Sequence, residues 1–513
     1  MENEDGIFEN PLVESLRRYR SPDPCILVIF GATGDLTARR LVPALYNLAK
    51  EGQLPPHFVC VGFARKQKTD DQFRQEMLEA VKKNSRSKPI EESVWNDFAK
   101  SLFYHSSHFD EEAGYDSLVK KMSEWDHQFN TKGNRLYYLS TQPSFFTTIC
   151  EQLKKHHLIY DTTSKTGPWS QVIIEKPFGH DLKSALALQE DLNKHLREEQ
   201  IYRIDHWLGK ETVQNLLVFR FSNSIFESLW NNKHVDHVQI TVAEDLGIGR
   251  RGAFWEETGI MRDIFQNHMM QLLTLVAMEP PGSLSPDAIR DEKVKVLQCI
   301  RHLKPEMILN DIVRGQYGEG YIENEKVVGY RHEENVSPSS HVDTYFAMKL
   351  WIDNWRWSGV PFYMRVGKRL PKRVTEIAII FKSPPRYLFG PNHDQNALII
   401  RVQPDEGISI KMNSKIPGFT TPIHPVMMDF HYSSYYGTSP PEAYERLICD
   451  AMASDTTLFA RDDEVIGSWK ILSPILDEWK KQPPHFPNYA AGTWGPAEAN
   501  FLIENDGRRW RIL

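Results

Sequence analysis

Cysteine is scarce and unpaired in this 513-residue sequence, which holds five: Cys25, Cys60, Cys150, Cys299 and Cys449, with no CxxC pair among them. That spacing argues against zinc, and two of the five sit inside apolar strand-like runs, so we expect no metal and buried, reduced thiols. Surplus positive charge is lacking too. Against 61 Lys and Arg stand 68 Asp and Glu, a net charge of -7, which disfavours nucleic acid held by bulk charge. No apolar run approaches the roughly 20 residues that span a bilayer. The opening MENEDGIFENPLVESLRRYR starts acidic and has no apolar core such as a secretory signal needs. A cytoplasmic protein with neither membrane nor nucleic acid as partner is the expectation. Repeats and low-complexity tracts are also missing, so domains must be found from pattern.

What is present is a chain about three times the usual single-domain length, enough for two sizeable domains. Up to about residue 205, short β-rich runs alternate with helical stretches: residues 25–30, 58–63, 135–139 and 171–174 read as strands. That alternation predicts βαβ units and a parallel sheet. Beyond it, runs become longer and alternate with period two, as in Val238, Ile240 and Val242 against Gln239 and Thr241. Similar runs lie near residues 341–351, 376–381 and 397–402. They predict an antiparallel sheet with one polar face. The expected fold class is therefore α/β plus α+β. An N-terminal Rossmann-like doubly wound domain over residues 1–205 precedes a C-terminal domain over 206–513, with a large, mainly antiparallel sheet flanked by helices.

The run CILVIF passes directly into GATGDLTARRLVPALYNLAK, in which Leu41, Ala44, Leu45 and Leu48 share a helical face. A pyrophosphate needs close backbone approach, which Gly31 and Gly34 allow, and gains from exposed amides at a helix start. Gly31, Ala32, Thr33, Gly34, Asp35 and Leu36 are thus candidate cofactor contacts. A plain strand-to-helix turn would carry the same glycines. At the end of the second strand an acid would favour a free ribose 2′-hydroxyl and an arginine a 2′-phosphate; here Ala64 is followed by Arg65 and Lys66. Two cations and no acid favour NADP over NAD, although a solvated basic turn reads the same way.

Three further segments are EKPFG (residues 175–179), RIDHWLGKE (203–211) and RDIFQNH (262–268). With the glycine loop and RVGKRL (365–370), they closely resemble the glucose-6-phosphate dehydrogenase family. The resemblance implies oxidation of D-glucose 6-phosphate to 6-phospho-D-glucono-1,5-lactone with hydride transfer to NADP, the first step of the oxidative pentose phosphate pathway. A homodimer or homotetramer is implied as well.

Oxidising a sugar hemiacetal needs a base for the hydroxyl proton, and neutral histidine suits that task near pH 7. His268 is the candidate. Its imidazole needs an acceptor on the other nitrogen. On an α-helix five residues turn through about 140°, so Asp263 is expected to point well away from His268, and the orienting acid should come from elsewhere. The resemblance implies Asp205, freeing Asp263 and Glu244 to bind sugar hydroxyls. It also implies His206 and Lys210 for the 6-phosphate; if their segment is helical, their spacing puts both on one face. Lys176, restricted to extended backbone by Pro177, is implied between sugar and nicotinamide, after a peptide bond that the resemblance makes cis. Lys368 and Arg373 match positions that contact sugar and phosphate oxygens.

Two departures from that family's pattern stand out. Trp207 replaces a tyrosine that donates its hydroxyl to phosphate, and an indole has one N–H and no acceptor, so Trp207 either donates that N–H or packs. Some eukaryotic members hold a structural NADP near the C-terminus through an arginine where Trp494 stands here, and Val374 replaces a further cation. Arg401 and Lys411 remain, yet no structural NADP is expected. A rival reading, a short-chain epimerase or reductase with a YxxxK pair, finds only Tyr345 and Lys349, over 300 residues from the loop in a strand-like run where residues four apart do not converge. A catalytically silent NADP-binding protein of the same fold is the other.

Overall fold

The computed structural model describes residues 22–160, 167–384, 394–436 and 440–513; the acidic opening segment lies outside them. Six of the seven strands of the first sheet come from the N-terminal half: β1 (Cys25–Phe30), β2 (Phe58–Ala64), β3 (Leu102–Ser106), β4 (Arg135–Leu139), β5 (Ser170–Ile174) and β6 (Ile201–Ile204). They run parallel in the order β6-β5-β4-β1-β2-β3. Every residue of β1, β2, β4 and β5 is buried, as a sheet covered by helices on both faces requires. The order reverses between β1 and β4, which opens a crevice beyond their carboxyl ends. A late segment, Phe459–Ala460, pairs antiparallel with β6, and helix Asp462–Trp479 packs back onto helix Leu182–Asn193. The C-terminal chain therefore finishes the outer edge of the first sheet.

The second sheet has eight strands, the fourth neighbour of its outer edge being Val374–Phe381 and the next β7 (Val235–Ala243). In space the order is Ile423–His431, Gly407–Lys415, Ala397–Gln403, Val374–Phe381, β7, Pro361–Gly367, Tyr345–Trp351 and Ile312–Gly315. All pairs are antiparallel except β7 with Pro361–Gly367. The expected polar face is absent from its centre, where Gln239 and Thr241 are buried. The C-terminal tail covers them: the Gln239 amide donates to Arg509 O (3.0 Å) and its oxygen accepts from Arg511 N (2.9 Å). Thr241 Oγ1 accepts from Arg365 Nε at 3.1 Å. The alternation was real, but its polar members meet partners instead of water, as buried polar groups must.

Against the apolar face lies a helical run that begins at Gly252–Ile260, passes through a π-helical segment Met261–Met269 and continues as Met270–Ala277. Among the described residues no helix is long and apolar enough to cross a membrane.

Candidate active site

Parallel strands deliver their following residues to one end of the sheet, so Gly31 after β1, Arg65 after β2, Lys176 after β5 and Asp205 after β6 all emerge on the crevice side. At Gly31 the backbone has φ of +89°, and a Cβ would lie 2.1 Å from the carbonyl oxygen of Ser140 beyond β4. Only glycine fits. The Gly31 and Ala32 amides are held by Phe63 O (2.9 and 3.3 Å), and Gly34 N by Gly31 O (2.9 Å). The turn so locked leads through a π-helical stretch, Thr37–Leu41, into helix Val42–Lys50. Opening amides of a helix lack intrahelical partners and sit at its positive end, so this start presents an anion site. Thr33 and Asp35 are exposed and Leu36 half-buried. Beside the turn the Ser140 hydroxyl is buried without a partner. Arg65 is exposed with Lys66, and among the described residues it makes no ion pair.

Around His268 the side chains close into a connected cluster. Its Nδ1 lies 2.5 Å from Asp205 Oδ1, and Asp205 also accepts from the Trp207 amide at 3.0 Å. Both partners are about 2% exposed. Burial opposes the Asp205 charge, yet the charge of and hydrogen bond to His268 hold its carboxyl down at about 2. Burial also pushes the His268 imidazole below its ordinary value, against the pull of Asp205 and with help from Lys176. With Nδ1–H directed at the carboxylate, Nε2 keeps its lone pair for a proton. Lys176 Nζ stands 3.1 Å from that Nε2 and donates to Asp263 O (2.6 Å) and Asp263 Oδ1 (3.1 Å). The Lys176–Pro177 bond is cis.

One expectation fails here. Asp263 does not point away from His268, because Met261–Met269 is π-helical. Bonding five residues back widens each turn, so positions five apart stack on one side and Lys176 reaches both. Burial opposes ionisation of Asp263, but Lys176 and Lys368 hold it down at about 2.

The segment at residues 205–210 is a run of turns rather than a helix: Leu208 N bonds Asp205 O and Lys210 N bonds Trp207 O. It still gathers its side chains. Trp207 stacks flat on His268 at 4.8 Å and carries Lys210 Nζ 5.3 Å from its ring centre, while the His206 ring meets His268 edge-on at 4.6 Å. The indole thus packs against the imidazole. Burial, helped by Arg373, pulls Lys210 down to about 8, and burial with His268 and Lys176 keeps His206 well below the usual histidine range. From the second sheet, Gln403 accepts from Lys210 and, at 3.5 Å, from Arg373. Glu244 pairs with Lys368, whose ammonium lies 5.0 Å from the Trp255 ring centre.

Gln403 was not legible beforehand. It ends a strand 193 residues from Lys210 and no spacing links them. At the C-terminal positions, Arg365 lies against Trp494 (5.1 Å) and Trp510 (4.3 Å), while Arg401 pairs with Asp429 (3.2 Å) and Lys411 with Asp394 (2.6 Å).

A doubly wound sheet with a glycine turn at its switch point, facing a carboxylate-held histidine, belongs to a dinucleotide-dependent dehydrogenase. Two family models extend this over the chain: "Glucose-6-phosphate dehydrogenase, NAD binding domain" matches residues 28–215, and "Glucose-6-phosphate dehydrogenase, C-terminal domain" matches 217–511. The chain belongs to the glucose-6-phosphate dehydrogenase family. It is 54% identical over 508 residues to glucose-6-phosphate 1-dehydrogenase of Chlamydia pneumoniae, covering 98% of each. Among solved structures it is similar to a glucose-6-phosphate dehydrogenase in complex with its substrate glucose-6-phosphate (TM-score 0.87, 36% identity, 96% of this chain and 99% of that one). It is also similar to glucose-6-phosphate 1-dehydrogenase from Mycobacterium avium (TM-score 0.82, 35% identity, 96% and 99%).

Proposed function

We propose that this enzyme oxidises D-glucose 6-phosphate to 6-phospho-D-glucono-1,5-lactone with NADP as oxidant, and that His268, oriented by Asp205, takes the anomeric hydroxyl proton. The observation that carries this reading is the His268 to Asp205 contact of 2.5 Å, with Nε2 left as the accepting atom. NADP, when bound, accepts the hydride. The crevice fits it: only glycine lets the turn at residue 31 pass so close to the Ser140 carbonyl, and among the described residues the buried Ser140 hydroxyl has no partner and Arg65 makes no ion pair, leaving its fork for a 2′-phosphate. Residues 31–36, Arg65 and Lys176 would hold it. Lys176 hands Nε2 over to the sugar hydroxyl, keeping its own bond to Asp263. Asp263, Glu244 and Lys368 take the sugar hydroxyls, and His206, Lys210 and Arg373 the 6-phosphate. We assign no metal. Asp205, His206 and His268 offer ligand atoms within 4.8 Å of one another, but Nδ1 of His268 is committed to Asp205.

We further propose a boundary at 205/206, a homodimer or dimer of dimers, and a cytoplasmic site of action, which the absence of any disulfide among the described cysteines fits. The dimer rests on an uncovered apolar stripe on the outer two strands, where Ile410 faces Met428 and Met412 faces Val426 across the ladder, with Met412, Val426 and Met428 exposed.

The deciding assay follows NADPH absorbance with glucose 6-phosphate, glucose and other sugar phosphates, in wild type and His268→Asn. No NADPH from glucose 6-phosphate with the wild type would sink the reading.

A further inference from the structure

Lys176 Nζ and His268 Nε2 stand 3.1 Å apart, yet they ride on different elements, one on the segment after β5 and the other on the π-helical run. A side chain at a strand end is only as well placed as the backbone beneath it. Beneath Lys176 that backbone is the stretch 175–182, which leaves β5 and enters helix Leu182–Asn193. Pro177 has no N–H with which to anchor it. At Gly179 φ is +78° and a Cβ would lie 2.6 Å from Ala185 N, so the stretch folds down onto the first turn of that helix.

Further anchors come from far along the chain. The Trp469 indole, 1% exposed, donates to Phe178 O at 3.0 Å, and Ser473 Oγ accepts from Leu182 N at 2.9 Å. Four positions apart, the two share one face of helix Asp462–Trp479. Arg262, beside Asp263, adds a bond from Nε to His180 O at 2.9 Å. The same helix Asp462–Trp479 also holds the element that carries His268. Glu464, 1% exposed, pairs with Lys293 at 2.6 Å and accepts from Gln271 Nε2 at 3.2 Å. Gln271 lies in helix Met270–Ala277, which continues the π-helical run. From Glu464 to Trp469 is about 7.5 Å along a helix axis, so one rigid element spaces the His268 run from the Lys176 segment.

We infer that Trp469 is a positioning residue for Lys176: through Phe178 O it fixes the backbone that carries the ammonium, and helix Asp462–Trp479 thereby sets the spacing between Lys176 and the His268 imidazole. The inference rests on the reading of Lys176 and His268 as site residues. His268 senses that spacing. Asp205 and Asp263 favour its charged form, while burial and Lys176 oppose it; the His206 ring that meets its edge is kept well below the usual histidine range. An ammonium that drifts from Nε2 opposes the charge less, and the imidazole then titrates at higher pH.

Kinetics and pH profiles of wild type, Trp469→Phe, Ser473→Ala, Lys176→Ala and the Trp469→Phe, Lys176→Ala double variant, with glucose 6-phosphate and NADP, test this. Trp469→Phe removes the N–H and keeps an aromatic ring. Its kcat should fall about tenfold to a hundredfold, as slight misplacement of a group at the reacting centre gives, with KM for either substrate within about threefold. The acid limb of kcat/KM should move to higher pH, which a loss of stability alone does not produce. Ser473→Ala should act in the same direction. In the Lys176→Ala background Trp469→Phe should cost nothing further in kcat, because it acts through Lys176. An unchanged kcat, an unmoved acid limb or a full further loss in the double variant would overturn the inference. Should Trp469→Phe fail to fold, the half-buried Ser473 carries the test, and an unmoved acid limb in Ser473→Ala overturns it as well. Wild-type kcat in Lys176→Ala would instead refute the reading of the site, and the inference with it.

Discussion

At the scale of single residues, the site is a balance of buried charges whose directions predict the pH dependence. As the proposed base, His268 must be neutral to accept a proton, and burial lowers it from the ordinary 6.5. The acid limb of kcat/KM should therefore have its midpoint below that value, activity falling as pH drops through it. As the proposed phosphate contact, Lys210 must be charged, and burial brings it down to about 8, so the alkaline limb should fall near pH 8. Lys210→Arg should move that limb upward, since a guanidinium keeps its charge; a pH profile of kcat/KM for glucose 6-phosphate reads both limbs. His268→Asn should cost about 10²- to 10⁴-fold in kcat with KM nearly kept, measured in the same assay. Arg65→Ala should raise KM for NADP about tenfold or more while leaving KM for NAD nearly unchanged; equal changes would show that Arg65 does not read the 2′-phosphate. Residue types were the most legible part of this protein. That Asp263 also lies beside His268 was not, because that depends on the backbone of the helix that carries both.

Elements decide the next level, and here two stretches of unusual backbone matter. A π-helical turn follows the glycine loop and another carries His268. The second explains why helical arithmetic misplaced Asp263: an apolar pattern with a period near four is read as α-helix from sequence, and the extra residue per turn leaves no mark in composition. The loop of residues 205–210 is a similar case, since turns rather than a helix bring His206 and Lys210 to the site. The glycine turn, in contrast, was legible as soon as strand and helix patterns flanked it. Its conformation is demanding enough to test: Gly31→Ala places a Cβ against Ser140 O, in backbone that cannot yield without parting β1 from β4. We expect loss of NADP binding by calorimetry together with a lower melting temperature, as positive φ and a backbone clash both destabilise.

For the whole molecule, the parallel strands and the long alternating strands announced two sheets and their order along the chain. Their coupling was invisible. Phe459–Ala460 closes the first sheet from the far end of the sequence, and the tail around Arg509 and Arg511 covers the second. Among the described residues, the apolar stripe of Met412, Val426 and Met428 is exposed. Replacing Val426 and Met428 together by glutamate should shift the particle to monomer in sedimentation analysis while the far-ultraviolet spectrum stays that of the folded chain. An unchanged mass would refute this face as the proposed dimer contact.

Local features were thus determined by sequence alone: a glycine turn between strand and helix, two cations and no acid after the second strand, and a family pattern from one end of the chain to the other. These depend on residue type and on neighbours within a few positions, which a sequence displays directly. Tertiary structure decided the rest. It brought Asp263 back beside His268, recruited Gln403 from far along the chain and turned an expected polar face into a covered one. Each of those outcomes depends on what a side chain meets across the fold, and burial gives such contacts their energy only after the chain has closed.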